Sequence, residues 1–325
     1  KTAYEMLRSL VGSEMCIRDS LFTSRGCPAK CAYCAGDLFG KRFRFRSAEG
    51  IAREMQDLHR TYGTRHFHFM DDAMTVDKTR VKALCGLLRD HPVKFTWSMM
   101  TRIDMVNREL LEVAASAGCV QIDFGVESGC PDTLRRVHKP HTVEMVKRVI
   151  ADTADVGIRP YVFFILGFPW GGLTELERTR RLMEELAPYV DCFHPAVASI
   201  LIPFPGTEIY ERYKGEYGFE NWWLDDARAY DAPNVRRHSF FERRVFSRGA
   251  VLDADFFRYP PAVRTGIRRL FRFMYLHNLR RAGRLTRGIH RAMLDLSDLT
   301  HRLSPALERV LFAPVALAEQ AVGRR

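Results

Sequence analysis

Three cysteines, Cys27, Cys31 and Cys34, fall within one short run, Ser24-Arg25-Gly26-Cys27-Pro28-Ala29-Lys30-Cys31-Ala32-Tyr33-Cys34. This C-x3-C-x2-C spacing, just after the apolar pair Leu21 and Phe22, constrains the chain more than any other feature. Three thiolates on one compact loop suit three corners of a cubane iron–sulfur cluster, whose irons prefer soft sulfur ligands. The next cysteine is Cys85, whereas ferredoxin-type carriers supply four cysteines per cluster. Three ligands leave one iron open, and an open metal position is where a substrate or cofactor binds. A structural zinc site would want a fourth Cys or His, usually in paired C-x2-C units. The first histidines are His59, His66 and His68, and the last two alternate in a strand-like run.

The chain around this loop has 325 residues, 46% of them apolar, enough for one large core or two modest ones. It lacks the run of about 18 apolar residues that a membrane-crossing helix needs. Eight cysteines without regular pairing fit a reducing compartment, and with no signal peptide evident the expected location is cytoplasmic. Residues 1–20, with their run Val11–Ser20, read as a non-native leader and are set aside. In that reading an upstream domain is missing.

From Leu21 to about Tyr217, short apolar runs alternate with amphipathic segments. Strands are predicted at 21–24, 66–70, 94–99, 120–125, 160–166 and 196–202, and helices at 47–62, 77–90, 107–117, 141–156, 174–187 and 206–214. Such β-then-α units imply parallel strands with right-handed crossovers. The fold class expected is α/β: a partial TIM-like (β/α)6 barrel over 21–217, followed by a mainly helical, arginine-rich region over 218–325. Barrel chemistry sits at the C-terminal strand ends. Those ends carry Asp71 and Asp72, Arg102 and Asp104, Glu127 and Ser128, and the loop Gly167-Phe168-Pro169. Each polar residue has a structural reading too: Asp72 or Asp77 as a cap of the second helix, Ser128 or Asp132 of the fourth.

The segments TSRGCPAKCAYC (23–34), LFGKRFRFRS (38–47), HFHFMDD (66–72), TRID (101–104), FGVESG (124–129), FFILGFP (163–169) and PFPGTEIY (203–210) together resemble the radical S-adenosylmethionine (radical SAM) superfamily. Within it they resemble the branch associated with cobalamin-binding domains, which includes methylases and anaerobic magnesium-protoporphyrin ester cyclases. The resemblance implies a 4Fe–4S cluster on Cys27, Cys31 and Cys34, whose open iron chelates the methionine end of SAM. One electron then cleaves SAM to a 5′-deoxyadenosyl radical. It also implies that Tyr33 flanks the adenine, that Asp71 or Asp72 faces the methionine amine, and that Arg102, Glu127 and the adjoining Ser128 line the SAM site. A small-molecule or lipid substrate, an electron donor such as flavodoxin or ferredoxin, and cobalamin held by a separate domain are the partners implied. Two departures stand out. The usual Gly-Phe-Pro-Gly-Glu-Thr reads Gly167-Phe168-Pro169-Trp170-Gly171-Gly172, leaving Glu175 as the candidate replacement for the glutamate. The cobalamin signature D-x-H-x-x-G is approached by Asp57-Leu58-His59-Arg60-Thr61-Tyr62-Gly63, one residue too long, and reads as a helix end.

From Asp231 onward the chain carries 19 arginines, no lysine and eight carboxylates, an excess of +11 that equals the formal net charge of the whole chain. Segment 262–282 sets Val263, Ile267, Leu270, Phe271 and Met274 at helical spacing, with Arg264, Arg268 and Arg272 on another face. A helix packed on its domain with a solvated arginine face is one reading. Peripheral contact with an anionic membrane, aided by the apolar segment 305–322, is a second. RNA binding by a methylthiotransferase-like enzyme is the alternative function, disfavoured because the tail looks helical.

Overall fold

The computed structural model describes residues 19–36, 42–194, 200–224, 255–282 and 284–303. They form two compact units. The first runs to Phe164 and takes in Arg178–Cys192; the second holds Ile165–Glu177 and the residues from Phe193 on.

The first unit is built on a sheet of β1 (Ser20–Leu21), β4 (His66–Phe69), β5 (Thr96–Arg102), β6 (Cys119–Glu127), β7 (Arg159–Phe164) and β8 (Cys192–Phe193), in that spatial order. The pairings from β1 through β7 are all parallel. Two further short strands, β2 (Ser24–Arg25) and β3 (Arg44–Phe45), make a separate antiparallel ribbon. The crossover helices are α1 (Ala48–Tyr62), α2 (Lys78–Asp90), α3 (Arg108–Ser116), α4 (Pro131–Arg136) and α5 (Val143–Asp155), followed by α6 (Gly172–Leu186). Each long helix from α1 to α5 starts where a side-chain oxygen satisfies an orphan amide. Ser47 accepts from Gly50, Asp77 from Arg80, Asn107 from Leu110 and Thr142 from Met145. Asp77, not Asp72, therefore caps α2. The α/β architecture and the order of its units follow the sequence expectation.

Two details differ. The short helix α4 was not predicted, because its six residues hold less than two turns of periodicity. A short strand forms at Cys192–Phe193, ahead of the one expected over 196–202, and there Asp191 N donates to Pro160 O at 2.9 Å. Residues 195–199 lie outside the described residues, and Ile200 makes an isolated parallel bridge to Leu166.

Side chains alternate across the sheet, as strand geometry requires. Phe67, Phe69, Trp97, Met99, Ile122, Phe124, Val162 and Phe164 are buried, and Ile51, Met55, Leu84, Leu110, Leu111, Val146 and Ile150 bury the apolar stripes of the helices. The opposite face is polar and more open. In register it carries His68, Ser98, Gln121 and Arg159, then Met100, Asp123 and Tyr161, then Arg102, Gly125 and Phe163 nearest the C-terminal ends.

In the second unit α7 (Glu208–Tyr217), α8 (Pro261–Asn278) and α9 (Arg284–Leu303) follow. Helix α8 buries Val263, Ile267, Leu270, Phe271 and Met274. Arg264 pairs with Asp255 and Arg272 with Asp295, so two of the three arginines expected on a free face are engaged within the unit. No described helix is long and apolar enough to cross a membrane. The apolar segment 305–322 lies outside the described residues.

Candidate active site

The cysteine loop leaves the sheet edge after β1 and is closed at its root by the β2–β3 ribbon. Gly26 opens it with φ +81°, a left-handed conformation that a side chain would strain. Asp71, at the end of β4, anchors this root. One carboxylate oxygen accepts from Thr23 N at 2.6 Å; the other accepts from Ser24 Oγ at 2.5 Å and from Thr23 Oγ1. Arg80 from α2 donates to Thr23 O at 3.0 Å and Thr23 Oγ1 at 2.9 Å, with its guanidinium 3.8 Å from Asp71. Asp71 is 1% exposed, so all of its polar capacity serves the loop's foundation. Its neighbour Asp72 is exposed at the same strand end.

Arg102 ends β5. Its Nε and Nη2 hold Asp104 two-pronged at 3.0 and 3.2 Å, and Nη1 reaches Cys31 Sγ at 3.0 Å. A guanidinium can present this fork to a carboxylate and keep a third edge for another anion. Within the loop, Cys34 N donates to Cys31 O at 3.0 Å and Gly36 N to Cys34 Sγ at 3.3 Å. A Cβ at Gly36 would sit 3.3 Å from that sulfur. Burial pushes the Cys27 and Cys34 thiols up from their ordinary value, and each feels the charges of Cys31 and Asp72. The cysteines thus sit as free, mutually interacting thiols on one turn, beside a cationic donor. Among the described residues, no three Cys, His, Asp or Glu side chains close on a single-ion position. A cubane asks for something else, one thiolate on each of three separate irons. The donor set fits such a cluster.

Glu127 completes the mouth. Register shifts between Gly125 and Glu127, so β6 ends in a bulge, and Glu127 takes φ +70°. A non-glycine residue there costs about 1–3 kcal/mol and persists only where its surroundings impose it. Here they do. Its Oε1 accepts from Tyr33 Oη at 2.7 Å and pairs with Lys139 Nζ at 2.8 Å, both side chains of the ion pair being buried. Lys139 also donates to Gly125 O at 3.3 Å. A Cβ on Gly125 would meet Glu127 Oε1 at 2.5 Å, so only glycine admits the carboxylate over this strand. Burial, then the Glu127 charge, push the Tyr33 phenol well above its ordinary value and keep it a neutral donor.

His141 lies behind this group, donating from Nε2 to Val126 O at 3.3 Å, with Nδ1 buried and unpartnered among the described residues. Burial, then Lys139, lower its pKa to about 4. Between pH 6.5 and 4 the unfolded chain therefore binds a proton here that the folded chain refuses, and stability falls as pH drops through that window. The loss should approach about 3 kcal/mol. His141→Gln, which keeps a donor for Val126 O, should flatten the pH dependence of urea unfolding between pH 6.5 and 4. An unchanged slope would remove His141 as its source.

Of the residues expected at the site, Cys31, Tyr33, Arg102 and Glu127 come together through direct contacts, with Cys27 and Cys34 on the same loop and Asp72 beside it. Ser128 is instead fully buried, accepting from Cys130 N at 3.0 Å ahead of α4 and lying 3.2 Å from Thr179 Oγ1. Lys139, His141, Thr23 and Arg80 were missed. Lys139 lies a dozen residues after Glu127, a spacing that carries no meaning until the chain turns back over β6. The near-match Asp57–Gly63 is the end of α1: His59 Nδ1 bonds Thr64 O at 3.0 Å and Gly63 is the left-handed C-cap.

Comparison with known proteins agrees with this geometry. The family model described as Radical SAM superfamily matches residues 21–183. Among curated relatives, an uncharacterized methyltransferase of Pyrococcus horikoshii is 30% identical over 192 residues, 59% of this chain and 41% of its own length. Cytidylyl-2-hydroxyethylphosphonate methyltransferase of Streptomyces wedmorensis is 31% identical over 151 residues, 46% of this chain and 28% of its own. The anaerobic magnesium-protoporphyrin IX monomethyl ester cyclase of Rubrivivax gelatinosus is 25% identical over 190 residues, 58% and 33%. The chain thus spans well under half the length of these relatives. In fold it is similar to the radical SAM methyltransferase TsrM of Kitasatospora setae, with TM-score 0.55 and 20% identity over 62% of this chain and 37% of that one. A cysteine loop rooted on the first strand, a parallel α/β sheet and the family match lead to one conclusion: this chain belongs to the radical SAM superfamily, enzymes that work with a 4Fe–4S cluster and S-adenosylmethionine.

Proposed function

We propose that this enzyme transfers a methyl group to a small or lipidic molecule, with cobalamin as the methyl carrier. The observation that carries the SAM-site part of the proposal is the Tyr33–Glu127–Lys139 constellation, with Tyr33 adjacent to Cys34 and two residues from Cys31. Methyl transfer is supported by the names of the two relatives near 30% identity, both methyltransferases. Cobalamin enters by analogy with TsrM, whose structure has cobalamin and a 4Fe–4S cluster bound. We read the Asp57–Gly63 segment as a helix end and not as its seat, with His59 Nδ1 on Thr64 O and Gly63 the left-handed C-cap, and no described residue is assigned to it.

In this proposal Cys27, Cys31 and Cys34 hold the cluster, which when bound supplies one electron to SAM. Glu127, fixed by Lys139, accepts from the ribose hydroxyls, and Tyr33 flanks the adenine. Arg102, oriented by Asp104, lines the SAM site on the side of the methionine carboxylate, and exposed Asp72 faces the ammonium. Asp71 and Ser128 act at one remove, by holding the loops that carry these groups. A low-potential donor of the flavodoxin or ferredoxin class supplies the electron.

The test is anaerobic reconstitution with reduced flavodoxin, cobalamin and methyl-labelled SAM. Label should pass from SAM to added acceptor molecules, and Arg102→Ala should weaken SAM binding by about tenfold or more through loss of a charge-assisted contact. Cleavage to 5′-deoxyadenosine without label transfer would favour a cyclase, in line with the Rubrivivax relative. Absence of SAM cleavage by cluster-loaded protein would overturn the proposal.

A further inference from the structure

The β2–β3 ribbon that closes the root of the cysteine loop has an outer face that the SAM site does not use. Its register sets Ser24 opposite Phe45 and Arg25 opposite Arg44. Residues directly opposite share a face, and the next pair takes the other face. Ser24 is buried against Asp71, and the rings of Phe45 and Phe43 lie 5.6 and 5.9 Å from the Arg80 guanidinium, which marks the inner face. Arg25 and Arg44 therefore project together from the outer face, and both are exposed. Like charges directly opposite weaken a strand pair, and two strands alone are marginal to begin with. The pair works against the ribbon that carries it. Beside it runs an open cleft of about 640 Å³, lined by Phe22, Arg25, Arg44, Phe45, Arg46 and Glu54 among others. Phe22 and Phe45 are each 54% exposed. Among the described residues Glu54 is the one carboxylate in this lining, and Arg46 holds it at 2.5 Å. The cleft is thus a basic rim around two exposed aromatic rings, the composition of a protein-binding surface.

We propose that this face is where the electron donor docks: a small, acidic one-electron carrier protein with carboxylates around its redox centre. The inference rests on the reading above, in which the cysteine loop carries a cluster reduced by such a donor. Position favours it. Arg25 is two residues ahead of Cys27, so their Cα atoms lie within about 8 Å of each other. Strand β1, from which the loop leaves, is at the edge of the described sheet, whereas Arg102 and Glu127 end the inner strands β5 and β6. A protein seated on the ribbon comes up beside a cluster cysteine and leaves the SAM mouth open. The donor gives up one electron, the cluster takes it, and no atom is transferred. The contact has only to bring two redox centres together briefly. Interfaces of that kind are small, below about 1,200 Å², and their rim charges govern the rate of encounter more than the final affinity. Arginines around two apolar rings meet both demands with a carboxylate-rich partner.

The experiment titrates oxidised flavodoxin, which drives no turnover, into the full chain with its cluster reconstituted, by calorimetry at low and at physiological salt. Saturable binding that weakens with salt is expected. Arg25→Glu and, independently, Arg44→Glu should each weaken it by about tenfold at low salt. Either change sets opposite charges across the ribbon, so iron content and Tm should hold or rise while binding falls. Arg148→Glu, the same charge change on an exposed side chain of α5, should leave binding within about twofold. Reduced flavodoxin should then drive SAM cleavage more slowly in both ribbon variants. Dithionite, a small reductant that needs no docking, should drive it equally in the variants and the wild type. No saturable flavodoxin binding, binding that both ribbon variants leave intact, or equal weakening by Arg148→Glu would overturn the surface. So would tRNA binding that Arg25→Glu abolishes while flavodoxin binding stands, which would make the face a nucleic-acid contact. Failure of the wild-type protein to cleave SAM with dithionite would instead remove the functional reading above, leaving the flavodoxin titration to be judged by itself.

Discussion

Cys31→Ala should leave the anaerobically reconstituted protein with iron and sulfide near zero, against about four of each per wild-type chain. SAM cleavage should vanish with them. Cys31 is the middle ligand of the loop and the one whose sulfur meets Arg102, so its loss removes a cluster corner and an anchor of the adjoining arginine together. Two remaining thiolates cannot hold a cubane against solvent. The control is Cys85→Ala. That thiol is buried in α2, and burial pushes its pKa up to about 12, so it is inert packing. The control should lose a little stability and no iron. Retention of a full cluster by Cys31→Ala, or equal loss in both variants, would contradict the assignment of the loop.

The second large effect is expected at Lys139. Lys139→Met leaves the Glu127 carboxylate buried with its cationic partner gone and, among the described residues, Tyr33 alone donating to it. Breaking a buried pair from one side costs about 3–5 kcal/mol. For a unit of this size that lowers Tm by roughly 10 °C. The bulge and the positive φ of Glu127 add to the cost, because the pair helps impose that conformation. Adding Glu127→Gln should recover part of the loss, since the uncompensated charge is then removed, and a double-mutant cycle should show coupling well above about 0.5 kcal/mol. Equal Tm values for Lys139→Met and wild type, or strictly additive single and double variants, would mean that the pair does not hold the site.

How far the fold was legible is clearest at individual residues. The cysteine loop, the cap residues Ser47, Asp77, Asn107 and Thr142, and the alternation of strand and helix are local patterns, set by spacing and by side chains within four residues of their targets. Those patterns, with the rule that barrel chemistry gathers at strand C-termini, were enough to name the α/β class and the polar residues now seen beside Cys31. Adjacent aspartates were not separable in this way. Asp71 and Asp72 are chemically equivalent in the sequence, and only the side to which each points, toward Thr23 and Ser24 or toward solvent, divides foundation from open carboxylate. The arginines of α8 looked like a free cationic face because their partners, Asp255 and Asp295, are 9 and 23 residues away. Lys139 and His141 carried no signal at all, since their meaning comes from a chain reversal that sets them against β6. Short-range capping and periodicity are written in neighbouring residues. Burial, pairing and the direction of a side chain depend on which distant segments the packed core brings together, and that the tertiary structure alone decided.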